Sequence, residues 1–234
     1  MPLRKSSARP AIAKLFTRMK TRGPKELAGL AGHRLLEFLH SEDRLIFFAL
    51  PIASPMPQHR SPANSVFRRA TAEDATAYAR DIGTDSKESF EKRLSNDTRC
   101  YLVVMDGLIV HATWVTTSQA WTREVRRYFK PPLGEAYIYE SFTRAEARGQ
   151  GAYPFALGAI AEDLATEGIR RMWVGVEAGN TPSMKAVRKA GFETGFEITY
   201  KRRLGRLVVS RPRGPLAPQC AKCLTRGRGG QISA

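Results

Sequence analysis

Cysteine is scarce in this chain of 234 residues: Cys100, Cys220 and Cys223 are the whole complement. So few thiols, odd in number and with no signal-peptide hydrophobic stretch ahead of them, exclude a disulfide-stapled secreted scaffold. They point to a reducing, cytoplasmic compartment. Long apolar runs are also missing. The longest, Leu45 to Ala53, is nine residues, against the ~20 that a helix needs to cross a bilayer. Histidine occurs four times, and His33, His40 and His59 precede the main body. The Cys220–Cys223 pair thus has neither a nearby His nor a second Cys pair to complete a zinc set, and no metal is expected. Acids are absent from both ends: residues 1–25 hold eight Lys/Arg and residues 201–234 hold nine, with no Asp or Glu in either stretch. Subtracting these 17 from the 38 basic residues leaves 21 against 22 acids, a near-neutral body between two basic ends. Charge confined to termini concerns solvation, weak anion binding or targeting, and not the chemistry of the body. The ends also lack the interleaved aromatics on which single-strand binders stack bases, so no specific nucleic-acid partner is expected.

What is present is enough for a core: 42% of residues are hydrophobic and aromatics run throughout, which excludes a wholly disordered chain. Three regions are expected. Residues 1–64 read as a basic, helical N-terminal extension. Ile12, Leu15, Phe16 and Met19 recur at helical spacing among Lys14, Arg18 and Lys20, a pattern that suits a solvated arm, weak contact with an anionic membrane surface, or a transit peptide. Leu27, Leu30, Leu35 and Phe38 make a second stripe, Leu45 to Leu50 reads as a buried strand, and the prolines of residues 51–64 mark a linker. Residues 65–205 form the main domain, and residues 206–234 a basic, flexible tail.

Within the main domain, strands are expected over 66–70, 101–105, 108–115, 136–143, 172–176 and 192–200. Helices are expected after Thr71 and over 87–94, 154–166 and 182–190. Asp106-Gly107 between two β-rich runs is the strongest short hairpin signal, and residues 117–134 read as a long loop. A hairpin combined with strand–helix–strand crossovers predicts an α/β fold with a mixed, mostly antiparallel sheet flanked by helices.

The most informative stretch is Arg148-Gly149-Gln150-Gly151-Ala152-Tyr153-Pro154, between a strand and a helix. Glycines there let successive backbone N–H groups face one concavity, and the helix adds the positive end of its dipole, so an anion such as a pyrophosphate is favoured. Arg148 can add a charge-assisted contact. Further on, Asn180-Thr181-Pro182-Ser183 opens another helix, with Lys189, Gly191 and Phe192 at its far end. Asn180 or Thr181 caps that helix, Pro182 suits its first turn, and Gly191 ends it.

Taken together, these two segments resemble the signature of the GNAT acetyltransferase superfamily. Arg148-Gly149-Gln150-Gly151-Ala152 is similar to its R-x-x-G-x loop, and Asn180, Ser183, Lys189, Gly191 and Phe192 to its N-x-x-S…K-x-G-F segment. Tyr137-Ile138-Tyr139 ahead of the R-G-x-G-x-Tyr-Pro turn is further similar to GNAT proteins that accompany surface-polysaccharide synthesis. The resemblance implies acetyl-CoA as cosubstrate, held by Phe142, Thr143, Arg148, Gly149, Gln150, Gly151, Ala152, Tyr153, Asn180 and Ser183. It also implies a primary amine as acceptor, attacking the thioester directly. That chemistry needs a base near neutral pH and a polarised carbonyl, and the carboxylates on the relevant strand are Glu135 and Glu140. Glu135, thirteen residues before Arg148, has the spacing of the catalytic glutamate of several family members. Alternation sets it opposite Glu140 unless a bulge intervenes. In one respect the chain departs from the family: Val187 stands where many relatives carry the tyrosine that protonates the departing thiolate. Arg123, Arg126, Arg127 and Lys130 in the 117–134 loop, beside Trp121, Tyr128 and Phe129, would suit a small anionic acceptor, for example a nucleotide-linked amino sugar. A peptide or protein N-acetyltransferase and a non-catalytic GNAT-like binding module are the alternatives.

Overall fold

The computed structural model describes residues 40–52, 60–204, 206–220 and 222–226. The amphipathic stripes expected before residue 40 and part of the proline-rich linker lie outside them. The described residues divide into two compact units, one with residues 40–42, 201–204 and 206–208, the other with residues 43–52, 60–200, 209–220 and 222–226. In the described part of the first unit, Lys201 Nζ lies 2.8 Å from Glu42 Oε2. The second unit carries the candidate catalytic and cosubstrate-binding residues.

Along the chain run β1 (His40–Pro51), β2 (Ser65–Arg69), α1 (Ala75–Asp81), α2 (Lys87–Arg93), β3 (Thr98–Met105), β4 (Leu108–Thr116), β5 (Ala120–Thr122) and β6 (Arg127–Phe129). After them come β7 (Glu135–Thr143), α3 (Ala152–Ala165), β8 (Arg171–Glu177), α4 (Thr181–Lys189), β9 (Glu193–Arg203), β10 (Arg206–Val209) and β11 (Leu224–Arg226). Eight strands make a mixed, mostly antiparallel sheet in the order β10-β9-β1-β8-β7-β4-β3-β2, and β11-β6-β5 make a small second sheet. Asp106 and Gly107 turn β3 into β4 with φ of 48° and 79°; two successive left-handed residues are the conformation that matches the twist of a tight hairpin. The helix α3 carries the chain from β7 to β8, which are parallel, as a crossover requires.

Three expectations change. The Leu45–Leu50 run, read as part of the N-terminal extension, is β1, which lies between β9 and β8 in the sheet with Phe48 opposite Val174. Its continuous apolarity follows from being covered on both faces. On one, Phe47 stacks against Phe129 and Phe196 with ring centroids 4.8 and 4.5 Å apart; on the other, Ile46, Phe48 and Leu50 pack with Leu157 and Ile160 of α3. The 117–134 segment is not an open loop but the β5–β6 hairpin. The tail beyond residue 206 is structured where it is described. Thr225 of β11 pairs with Tyr128 of β6, the Lys130 N–H donates to the Cys223 carbonyl at 2.8 Å, and Cys220 is buried. These contacts join residues about ninety positions apart, so no local periodicity announces them.

The apolar residues of α3 and the buried Val187 of α4 pack against one face of the sheet. On the other, α1 and α2 pack Tyr78 and Phe90 against Trp114. The second helix is capped by Ser86, whose hydroxyl accepts the Ser89 N–H. Among the described residues no helix is long and apolar enough to cross a membrane.

Candidate active site

The turn between β7 and α3 has the form that its glycines predict. Gly149 and Gly151 have φ of 79° and 83°, the left-handed region, and a Cβ on either would project into open space. Gly151 is the residue before α3, and no side chain caps the helix. The first-turn N–H groups are therefore left to whatever occupies the concavity. Arg148 stays exposed, its Nε donating to the Thr143 carbonyl at 3.3 Å. A cleft of about 600 Å³ opens against this turn. It is lined by Phe142, Thr143, Arg148, Gly149, Gly151, Ala152, Tyr153, Asn180 and Ser183, which are nine of the ten residues expected to hold the cosubstrate. The tenth, Gln150, lines an adjoining cleft of about 530 Å³ with the cations Arg60 and Lys189. At the far wall Asn180 accepts the Ser183 N–H at 3.2 Å, capping α4. An uncapped helix end, two glycines that leave the backbone bare and flanking cations fit a pyrophosphate-bearing ligand.

The sheet supplies the second half. Strands β7 and β8 pair from Glu135↔Arg171 to Ile138↔Val174 and no further. Beyond Ile138, the β7 backbone groups that would have met β8 have no strand partner. In the same place β7 carries a bulge: Trp114 of β4 faces Glu140 and Val115 faces Ile138, which leaves Tyr139 as the extra residue. One inserted residue shifts the alternation, so Ser141 and Thr143 share the side of Ala136 and Ile138, toward α3. The opening between the parted strands is a second cleft of about 250 Å³, with Tyr139, Glu140 and Ser141 on one wall and Val174 to Glu177 on the other. Ser141, Tyr153, Asn180 and Ser183 line both this cleft and the larger one. That is where two ligands, one in each cleft, would meet.

Glu135 is not at this junction. It stands at the start of β7 with its side chain 5% exposed. Its Oε2 accepts from Trp173 Nε1 at 2.5 Å and its Oε1 from Arg171 Nη1 at 3.0 Å. Glu135 therefore lines neither cleft, and its carboxylate joins β7 to β8 by accepting from two donors. Glu140 does line the smaller cleft. Its Oε2 accepts from Arg93 Nη2 at 2.7 Å, and the Arg93 guanidinium lies over the Trp114 ring at 3.9 Å.

The smaller cleft is also acidic where a basic wall was expected. Glu124, Glu140 and Glu177 line it with no Lys or Arg. Arg123, Arg126 and Lys130 are exposed and Arg127 lies in β6, but none of them lines the cleft; the hairpin buries Val125 and presents Glu124 instead. Glu177 accepts the Tyr200 hydroxyl proton at 2.5 Å. Burial first, and the Glu177 carboxylate next, push the Tyr200 phenol well above its usual range. Glu124 and Glu177 were not singled out in the sequence; their neighbours in the cleft come from distant segments, so spacing carried no signal.

Behind Ser141 runs a buried polar chain. His111 Nδ1 lies 2.7 Å from Thr143 Oγ1, and its Nε2 lies 2.8 Å from Thr113 Oγ1. Thr113 in turn donates to Ser141 Oγ at 3.0 Å. His111 is wholly buried, and desolvation pushes its pKa down to about 3, so the ring is neutral. A polar residue in the otherwise apolar run of β4 was the available sequence signal for it. Val187 is fully buried in the core, as an apolar side chain in place of a donor would be. Among the described residues no group of three or more His, Cys, Asp or Glu side chains converges to hold a metal.

Comparison with known proteins agrees with this geometry. The family model of the acetyltransferase (GNAT) family matches residues 69–192. A GCN5-related N-acetyltransferase from Sphaerobacter thermophilus superposes with a TM-score of 0.56 at 16% identity, over 80% of this chain and 58% of that one. The chain therefore spans well under two thirds of that protein's length. A GCN5-related N-acetyltransferase from Kribbella flavida gives a TM-score of 0.49 at 20% identity, over 73% and 62%. The ribosomal-protein-S18-alanine N-acetyltransferase from Escherichia coli gives 0.44 at 14%, over 55% and 77%. No curated protein matches the sequence. These likenesses are of fold, and the family model covers more than half of the chain. The match of the family model over more than half of the chain shows that the chain belongs to the GNAT acetyltransferase family.

Proposed function

We propose that this protein transfers an acetyl group from acetyl-CoA to the primary amine of a small cationic molecule, basic amino sugars included, by direct attack. The observation that carries the reading is the meeting of two clefts at Ser141 and Tyr153, one built around an uncapped helix end and the other lined by three carboxylates. Acetyl-CoA, when bound, supplies a thioester carbonyl open to attack by a neutral amine. Arg148, the Gly149–Gly151 backbone and the start of α3 hold the anionic end, with Lys189 beside them. The unpaired β7 backbone beyond Ile138 offers an N–H donor for the carbonyl oxygen, worth most where water is excluded. Glu124, Glu140 and Glu177 attract and orient an ammonium group, and Glu140 and Glu177 are the bases within the cleft for the proton it must lose. No cysteine lines either cleft, which supports transfer without an acyl-enzyme. Three unpaired cysteines, two of them close together, fit a reducing compartment such as the cytoplasm.

The test is thermal stability with acetyl-CoA or CoA, followed by a screen of amines for acetylation. A ligand at ~100 times its dissociation constant adds about 2.7 kcal/mol, or roughly 5–10 °C for a domain of this size. Both ligands should raise the midpoint by that amount, and basic amines should be acetylated ahead of phosphorylated amino sugars. No shift with either ligand would leave a binding module without catalysis. A preference for anionic acceptors would overturn the reading of the acidic cleft.

A further inference from the structure

We propose that the outer face of the small β5–β6–β11 sheet docks a single-stranded nucleic acid, held by stacking and charge and not by its base sequence. The residues of that face line neither cleft, and the inference does not depend on the transferase reading. The tail beyond residue 206 has cations but no aromatic residue, which in sequence speaks against stacking on bases. Folding removes that objection. Because β11 pairs with β6, the register sets Trp121, Tyr128 and Thr225 in one row across the three strands. The row faces away from the main sheet: the alternate positions Thr122 and Phe129 are the ones that meet Tyr137 and Phe47. Trp121 is 44% exposed, and its ring meets that of Tyr128 edge to face with centroids 5.1 Å apart. Trp114 and Trp173, by contrast, are fully buried.

The charge around the row is of one sign. Residues 119–130 and 219–226 hold six Lys and Arg against a single acid, Glu124, and that acid lines the acceptor cleft. The cations stand at both ends of the row. At the hairpin end, Arg123 and Arg126 are exposed in the turn, and Arg127 lies opposite Arg226 in the β6–β11 register. At the other end, Lys130 comes two positions after Tyr128, which puts it on the same face. Lys222 is there too, the neighbour of the Cys223 whose carbonyl accepts the Lys130 N–H. Among the described residues none of the six pairs with a carboxylate. Arg127 and Arg226 are like charges directly opposite one another, an arrangement that costs stability. Burial first, and the Arg226 charge next, hold the Arg127 guanidinium below its usual pKa. A phosphate beside the two relieves that repulsion.

The chemistry selects the occupant. Exposed rings between unpaired cations hold a single strand well, because its backbone follows the charge while a base stacks on the ring. A duplex keeps its bases stacked on one another and offers this face only its phosphates. An anionic lipid surface favours apolar side chains that insert, and the aliphatic residue of the hairpin tip, Val125, is buried.

The experiment titrates the full chain with a short oligouridylate, with a duplex of the same length, and with vesicles of phosphatidylcholine and phosphatidylserine. With Trp114 and Trp173 buried, Trp121 is the tryptophan that a bound base can quench. The oligouridylate should quench it and should bind more tightly than the duplex. Its affinity should fall about fiftyfold between about 50 and 200 mM salt, as expected for about four neutralised phosphates. Trp121→Ala leaves every charge in place, those of the basic ends included, and should weaken binding about tenfold or more. Arg123→Gln should keep the quenching and reduce the slope of log affinity against log salt by about 0.7. A Trp121→Ala variant that binds as tightly as wild type would overturn the inference, because the basic ends would then be doing the binding. Equal affinity for duplex and single strand would do the same. Quenching by the vesicles and none by the oligouridylate would assign the face to a membrane surface and also overturn it.

Discussion

Glu135 separates a strut from a base, and the structure says how much its removal should cost. Glu135→Ala leaves Trp173 Nε1, fully buried, without the acceptor it now has at 2.5 Å. An orphaned buried donor costs about 1–3 kcal/mol. Arg171 also loses its partner at 3.0 Å; its side chain is 23% exposed, so solvent recovers part of that loss. The truncated side chain adds a small void between β7 and β8. Together these give about 3 kcal/mol, the low end of the 3–5 that follows breaking a fully buried pair. For a chain of this size that is a fall of roughly 6–12 °C in the thermal midpoint. Urea unfolding followed by tryptophan fluorescence should show a lower midpoint concentration at an unchanged slope. Glu135→Gln, which keeps one carbonyl acceptor, should lose about half as much. Catalysis by the folded fraction should stay within about threefold of wild type, with its pH profile unmoved. A Glu135→Gln variant of wild-type stability, with a large fall in kcat and a displaced pH profile, would refute the assignment and restore Glu135 as the base.

Two further outcomes are expected. His111 has a folded pKa pushed down to about 3 against ~6.5 unfolded, so the unfolded chain binds the extra proton between those values. Stability is therefore complete above pH ~6.5 and is lost as pH falls toward 3, at up to about 1.4 kcal/mol per pH unit; denaturation from pH 7 to 4 should show that slope, and a stable His111→Asn variant should lack it. Deleting residues 211–234 should lower the thermal midpoint by several degrees, because the Leu216 N–H donates to the Gly195 carbonyl at 2.9 Å, Cys220 is buried and β11 pairs with β6. An unchanged midpoint in the deleted chain would mean that these contacts add nothing to the fold.

The outline of the fold was legible in local chemistry. Asp106-Gly107 named its hairpin because so few residue pairs accept two left-handed conformations in succession. Gly149 and Gly151 marked the anion turn for the same reason, with the start of α3 beside them, and Asn180 with Pro182 marked the start of α4. Each of these signals lies within a few residues of the structure that it specifies, so the sequence by itself determined most of the main-sheet strands, the helices and the large cleft. Everything that depended on register or on distant segments was decided by tertiary structure. The apolar run at β1 is the same in a linker arm or in the middle of a sheet; only pairing with β8 distinguishes the two. A single bulge at Tyr139 reversed the alternation along β7 and carried Ser141 toward α3. Folding set the Glu135 carboxylate against Trp173 and Arg171, away from both clefts, and the β5–β6 hairpin placed Glu124 where a basic wall was expected. The physical reason is one of range. Dihedral preference and capping act over three or four residues, whereas a cleft takes its charge and its proton donors from strands that meet only when the chain is folded.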